Sequence, residues 1–368
     1  MTEVDNYEIV REKLQIGRIT APNRKEIFKL MEILWNEEEI KLLSHFDSVG
    51  KKNSLKNLSK KIGIPEQEIE GKLERSVNIG TILKTNSDYR LLPLAPGIFE
   101  SYFIKRQDTE ENQLKVAELY RYIFKNKAPD LENVDNIRKG FRPLLPYDSE
   151  EKLIKVEESF EVENQVLPFE VVKDMIDKND TFAVIPCQCR LIGELTGEPC
   201  KVASSELGCF VVGEGAEKWI NRGKASRLTK EEAIDFLRKT EKAGLIHNTI
   251  ADTSKESSRF ICNCCSCHCG VLLPAKKYDY KGVVETNFVP RFDMDLCTKC
   301  EICMNKCQNE AIYHLWPSKP DLSDEKMKVR EEFCVGCGVC AANCPNNAIK
   351  MVKVKNDHPK RLPLNFLF

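Results

Sequence analysis

Apolar side chains recur at helical spacing three times in the first quarter of the chain. Ile40, Leu43 and Phe46 stand in NEEEIKLLSHF, Leu55, Leu58 and Ile62 in SLKNLSKKIG, and Ile69, Leu73 and Val77 in PEQEIEGKLERSVNIG. Steps of three and four put each trio on one face of a short helix. TILKTNSDYRLLPL follows, and polar Asn86 to Asp88 interrupt it, which predicts a hairpin. EENQLKVAELYRYIFKNK predicts a further helix. The proline-interrupted KAPDLENVDNIRKGFRPLLPYDSEE reads as a linker over the surface.

Beyond residue 180 the period shortens. TFAVIPCQCR predicts a buried strand ending at Pro186 and delivering Cys187 and Cys189 into a loop, while LIHNTIA and RFICN predict two more strands. Between them TKEEAIDFLRKTEKAG is an amphipathic helix, opened by a capping box from Thr229 to Glu232 and closed by Gly244. Such a helix brings sulfur-rich loops, distant in sequence, to one edge of a small sheet. Near the end, RFDMDLCTKCEICMNKCQNEAIYHL and KVREEFCVGCGVCAANCPNNAIKMV repeat one pattern at an offset of 37 residues. Each half predicts a strand, a helical turn and an Ala-Ile strand.

Composition adds one decisive feature. The 368 residues are 42% hydrophobic and 31% charged, and the 56 basic and 57 acidic side chains give no hint of a polyanionic partner. The opening MTEVDNYEIVREK is not a secretory leader, and no stretch approaches the roughly 20 apolar residues of a membrane span, so a cytoplasmic location is expected. All 17 cysteines lie between Cys187 and Cys344. An odd number in a reducing compartment argues against a disulfide framework and for metal binding. The five histidines are scattered, and there is no glycine-rich phosphate loop or Ser-His-Asp set, so hydride chemistry is not expected of this chain.

Cys297, Cys300, Cys303 and Cys307, then Cys334, Cys337, Cys340 and Cys344, each form a C-x2-C-x2-C-x3-C run. In two-cluster ferredoxins the fourth cysteine of such a run crosses to the other cluster. That pattern assigns Cys297, Cys300, Cys303 and Cys344 to one 4Fe-4S cluster, and Cys334, Cys337, Cys340 and Cys307 to a second. The region resembles the bacterial dicluster ferredoxin fold over about 65 residues. Two features depart from that family: Gln308 stands where proline usually follows the fourth cysteine, and YHLWPSKPDLSDEK lengthens the connection between the halves. Two four-thiolate zinc sites are the alternative, but these normally come as paired C-x2-C knuckles.

The other nine are Cys187, Cys189, Cys200 and Cys209, and Cys262, Cys264, Cys265, Cys267 and Cys269 of ICNCCSCHCG. In an extended chain the last five do not share one face, so a single centre needs the backbone to turn between them. An additional iron-sulfur cluster, structural zinc and a redox thiol relay all suit such a set. The segment resembles the CxCR…ICNCC region upstream of ferredoxin domains in poorly characterised anaerobic iron-sulfur proteins, a resemblance that implies cysteine where this chain has His268. His268 is either a ligand or a hydrogen-bond donor to sulfur. Arg190 either neutralises an anionic cluster or sits as a solvated surface arginine.

Residues 24 to 95 resemble a winged helix-turn-helix, with the third helix in the recognition position and the hairpin as the wing. Glu66, Glu68, Glu70 and Glu74 on that helix have the wrong sign for a phosphate-lined groove, although Lys51, Lys52, Lys56, Lys60 and Lys61 form a basic stretch nearby. The chain is therefore expected to be α+β. Residues 1–108 form a winged-helix-like N-terminal domain, 109–180 a helix and linker, and 181–285 a small Cys-rich α/β middle domain. Residues 286–355 form a C-terminal dicluster ferredoxin-like domain, and 356–368 a tail. The expected function is electron transfer, as a polyferredoxin-type subunit or carrier of an anaerobic oxidoreductase system with protein redox partners. The rival is a redox-responsive winged-helix regulator that binds DNA.

Overall fold

A computed structural model describes residues 5–14, 21–126, 141–149, 153–154, 171–250, 260–277, 286–316 and 326–355. Helices and strands mix throughout, as an α+β chain requires. The described residues separate into two compact units, 5–126 with 191–199, and 141–190 with 200–355. The tail and most of the lengthened connection lie outside the described residues.

In the first unit the apolar trios mark helices Glu37–Leu43, Leu55–Ile62 and Glu66–Ile79, except that Phe46 lies three residues past the end of the first, in the turn that follows it. Asn36 and Glu39 close a capping box on the first of these, and Gly63 and Gly80 end the other two in the left-handed conformation. The hairpin is β2 (Ile82–Thr85) and β3 (Asp88–Leu91), turned at Asn86, and a two-residue strand β1 (Asn53–Ser54) joins it in the order β1-β3-β2. Helix Glu110–Asn126 carries Val116, Ala117 and Tyr120 into the core. Trp35 is fully buried, and its indole N–H donates to Thr81 Oγ1 at 2.9 Å, which meets the usual need of a buried indole for a partner.

The second unit is built on a six-stranded antiparallel sheet. Its strands are β4 (Phe141–Pro143), β6 (Phe182–Ile185), β7 (Cys209–Val212), β8 (Ser226–Leu228), β9 (Ile246–Ile250) and β10 (Phe260–Cys264), in the order β4-β9-β10-β7-β6-β8. Part of the expected linker is thus an edge strand, the one place in a sheet where Pro143 removes no needed donor. Helix Lys230–Ala243 has both halves of its capping box in place and packs Ala233 and Leu237 on Phe182, Phe210 and Ile261. Each of the larger side chains, Leu237, Phe182, Phe210 and Ile261, contributes roughly 1.5–3 kcal/mol by leaving water. Cys189, expected in a loop, lies in the helix Gln188–Leu195.

The C-terminal repeats interlock. β11 (Phe288–Phe292) of the first half pairs antiparallel with β14 (Ile349–Lys353) of the second, and β12 (Ile312–Leu315) pairs with β13 (Lys326–Val329). β5 (Leu153–Ile154), from well upstream, adds a parallel edge to β14, and Leu145 and Val171 join the same core. Lys299 and Gly336, Glu301 and Gly338, and Glu310 and Asn347 all have positive φ. The members of each pair are one repeat apart, so the two cysteine loops follow the same path.

Gly336 has φ +63°, and a Cβ there would lie 2.2 Å from the Phe288 carbonyl oxygen. Gly336→Ala is expected to lower stability by about 3 kcal/mol or more, because strain and a backbone clash fall on one residue. Gly197, with φ +74° and open space around it, should pay only the left-handed penalty of about 1–2 kcal/mol on the same change. Thermal unfolding of the two variants checks that order, and equal shifts would contradict it.

Candidate metal centres

The cysteines of the C-terminal repeats meet crosswise. Around Cys303 lie Cys297, Cys300 and Cys344, and these four line an open pocket with Phe292, Met327 and Pro345. Cys307, from the first repeat, stands instead beside Cys334, Cys337 and Cys340 of the second. Interlocking of β11 with β14 produces the exchange, since each repeat is closed by the strand of the other.

Backbone amides point at sulfur in matching places. Ala311 N lies 3.3 Å from Cys307 Sγ, Ala348 N lies 3.2 Å from Cys344 Sγ, and Gly336 N lies 3.4 Å from Cys334 Sγ. Burial pushes the Cys303 and Cys334 thiols up to about 11, and Cys337 and Cys340 higher still. Such thiols are neutral at pH 7 until a coordinated metal displaces their protons. Paired tetrads, an open cradle and amides aimed at sulfur fit cysteine-ligated iron-sulfur clusters.

Sheet geometry assembles the middle cysteines. β6 ends where β7 begins, and β10 runs on past that point to pair with β9: Ile185 faces Cys209 across β6 and β7, and Ile261 faces Phe210 across β10 and β7. One step further along places Cys262 beside Cys209, with their sulfurs 3.9 Å apart. Gly208 permits the crowding, because a Cβ there would lie 1.9 Å from the Ile185 carbonyl oxygen. Cys187 lies close to Cys189 and Cys209, Cys189 close to Cys269, and Cys264 close to both Cys262 and Cys269. Six thiols, Cys187, Cys189, Cys209, Cys262, Cys264 and Cys269, therefore close a ring.

Cys200, Cys265, Cys267 and His268 form a separate group, with one donor atom from each lying within 4.8 Å of the others. The chain turns directly after β10, which divides ICNCCSCHCG between the two groups. An extended backbone would not allow that division.

Arg190 is fully buried, so it is not a surface arginine. Its guanidinium donates to the carbonyls of Ser204 at 2.9 Å and Asn263 at 2.7 Å, and to that of Leu207. Burial opposes its charge, but the sulfurs of Cys187, Cys265, Cys209 and Cys264 outweigh burial and hold it protonated. Sequence reasoning missed the polar chain behind the ring. Asn263 Oδ1 meets His247 Nδ1 at 2.7 Å, His247 Nε2 lies 3.2 Å from Glu241 Oε1, and Asn263 Nδ2 donates to the Gly208 carbonyl at 2.7 Å. Strand alternation was the available signal, since Asn263 lies between Cys262 and Cys264 and must face the other way.

Residues 290–313 and 327–350 match the family model described as 4Fe-4S binding domain. The match covers both C-terminal repeats. No curated protein and no solved structure matches the chain. Iron-sulfur binding is thus supported twice, by the family match and by the gathered thiols. No helix among the described residues is long and apolar enough to cross a membrane.

Arg190→Met leaves three backbone carbonyls without their donor. At about 1–3 kcal/mol for each unsatisfied group, the loss should be about 3 kcal/mol or more. Arg190→Lys should recover little, because an ammonium cannot span the three acceptors. Urea unfolding of whole protein without oxygen checks this, and near-native stability of Arg190→Met would show that the clamp does not hold the ring.

Proposed function

We propose that this protein is an iron-sulfur electron carrier, a polyferredoxin-type cytoplasmic component of an anaerobic oxidoreductase system whose catalytic cofactor sits on another chain. The crosswise grouping of the eight C-terminal cysteines, one tetrad around an open cavity, carries this reading. In it, Cys297, Cys300, Cys303 and Cys344 hold one 4Fe-4S cluster, and Cys334, Cys337, Cys340 and Cys307 a second. The six-thiol ring holds a third iron-sulfur site. When bound, such clusters supply one-electron chemistry at potentials tuned by burial, charge and hydrogen bonds to sulfur.

The chain's own residues do the tuning. Amides of Ala311, Gly336 and Ala348 aim at ligand sulfurs, and Arg190 places a fixed positive charge beside the ring. Cys264 and Cys269 pack in one apolar cluster with Val339, Val335 and Cys337. This continuity supports exchange between the ring and the second tetrad. Cys300 is exposed, as are neighbouring Leu296 and Ile302, which offers a protein redox partner an approach to the first tetrad.

Lys72 and Arg75, the basic residues of the presumptive recognition helix, already have acidic partners: Lys72 pairs with Glu38 at 3.0 Å, and Arg75 with Glu39 at 2.9 Å. That favours a docking role over the regulator for this region. DNA binding should therefore be weak and strongly salt-dependent, as measured on random and genomic duplexes with clusters oxidised and reduced. Sequence-specific binding at about 10 nM or tighter would favour the regulator.

The ligand assignment is tested on whole protein purified without oxygen. Iron should exceed about eight per chain, with matching acid-labile sulfide. Cys344→Ser should remove the same paramagnetic signal as Cys297→Ser, and Cys307→Ser the same signal as Cys337→Ser. Replacing Cys189 and Cys264 together with serine should remove a third signal and spare those two. Variants that group by repeat instead of crosswise would overturn the assignment, and about eight irons with no third signal would remove the ring from the electron path.

A further inference from the structure

We propose that Cys200, Cys265, Cys267 and His268 bind a single zinc ion, separate from every iron-sulfur centre of the chain. The donor spacing decides the metal type. Cys200 and Cys267 sulfurs lie 3.4 Å apart, His268 Nδ1 is 3.1 Å from Cys267 Sγ, and one donor atom from each of the four lies within 4.8 Å of the others. Zinc-sulfur bonds of about 2.3 Å in a tetrahedron place neighbouring donors about 3.8 Å apart. A cubane attaches each of its ligands to a different iron and spreads them more widely. Three thiolates and one imidazole form a closed structural zinc set with no open position.

The surroundings are built for such a site. Cys265 and His268 are buried, and the Val202 amide lies 3.4 Å from Cys200 Sγ. Cys265, Cys267 and His268 come from one tight turn after β10, whereas Cys200 comes from a loop far upstream, so one ion ties together segments 65 residues apart in sequence. Binding the ion displaces the thiol protons to solvent and stabilises only the folded arrangement.

Gln308 supplies the second connection. Its Oε1 accepts from the Ser266 backbone N–H at 3.1 Å and from the Ser266 hydroxyl at 3.3 Å, while its Nε2 donates to the Gly244 carbonyl at 3.0 Å. Ser266 lies between two of the proposed ligands, and Gln308 follows Cys307 directly. A proline at 308 could make none of these bonds. The departure from the ferredoxin pattern is thereby explained: Gln308 holds the zinc turn against the repeat that supplies Cys307. Zinc does not change oxidation state, so the site acts as a fixed clamp.

Zinc and iron are measured together on whole protein purified without oxygen, and the zinc K-edge absorption spectrum is read for ligand type. About one zinc per chain is expected, with three sulfurs near 2.3 Å and one nitrogen near 2.0–2.1 Å. His268→Cys should keep the zinc and convert the shell to four sulfurs. Cys200→Ser with His268→Ala should lose the zinc and leave the paramagnetic signals in place. Zinc far below one per chain, a four-sulfur shell in the unsubstituted protein, or loss of an iron signal in the double variant would overturn the proposal. If the variants do not fold, the metal content and spectrum of the unsubstituted protein decide it. One zinc without iron would leave this inference standing and sink the electron carrier; full iron without zinc would do the reverse.

Discussion

Antiparallel pairing of β6, β7 and β10 is the constraint on which the sulfur-rich half of this molecule depends. Because β7 runs against both neighbours, its first residue, Cys209, lies where β6 ends and Cys187 leaves the sheet, and beside the middle of β10, where Cys262 passes from β7 to its pairing with Asn248 of β9. Three distant stretches of chain reach one edge without any long loop having to find its own path. A slip of one residue in either register would turn the thiols to the opposite face. The apolar packing of Phe182, Phe210, Ile261 and Leu237 holds that register.

Crowded sulfur has an electrostatic cost once it is ligated, and the fold meets it with backbone and one buried cation. Arg190 spans three carbonyls as well as facing the ring, so the same guanidinium fixes the loop and balances its charge. A lysine has neither the planar fork nor the reach. In the C-terminal repeats the balance comes from amides directed at sulfur. The left-handed residues at equivalent positions of the two loops, glycine in one repeat and Lys299 or Glu301 in the other, set the loop paths that aim them.

Five of the helices, most strands and the repeat were legible in the sequence because each rests on local rules, whereas short helices such as Lys25–Leu34 and Gly213–Asn221 were not. Apolar spacing marked helices such as Glu66–Ile79, the Thr229 capping box marked the start of Lys230–Ala243, and the doubled four-cysteine run marked the 4Fe-4S binding repeats before any family match. From sequence alone the edge strand β4 reads as linker, because Pro143 argues against a strand until a partner is seen on one side only. Sequence alone puts Cys189 in a loop because Pro186 ends the strand, and nothing local announces that a helix begins two residues later.

Sequence by itself determined that the chain binds metal through thiolates, that its C-terminal repeats carry paired cysteine runs, and that helices and strands mix along its length. Tertiary structure alone decided how the nine middle cysteines divide. The grouping of Cys265 with Cys200, while adjacent Cys264 joins Cys269 and Cys262, depends on a turn after β10 and on loops separated by tens of residues. The same holds for Arg190, whose burial depends on three carbonyls from two other segments, and for Gln308, whose partners lie more than 40 residues upstream. Periodicity and motif spacing report which way a side chain faces along its own element. They do not report which elements meet, because that is set by packing between segments that the chain brings together only when it folds.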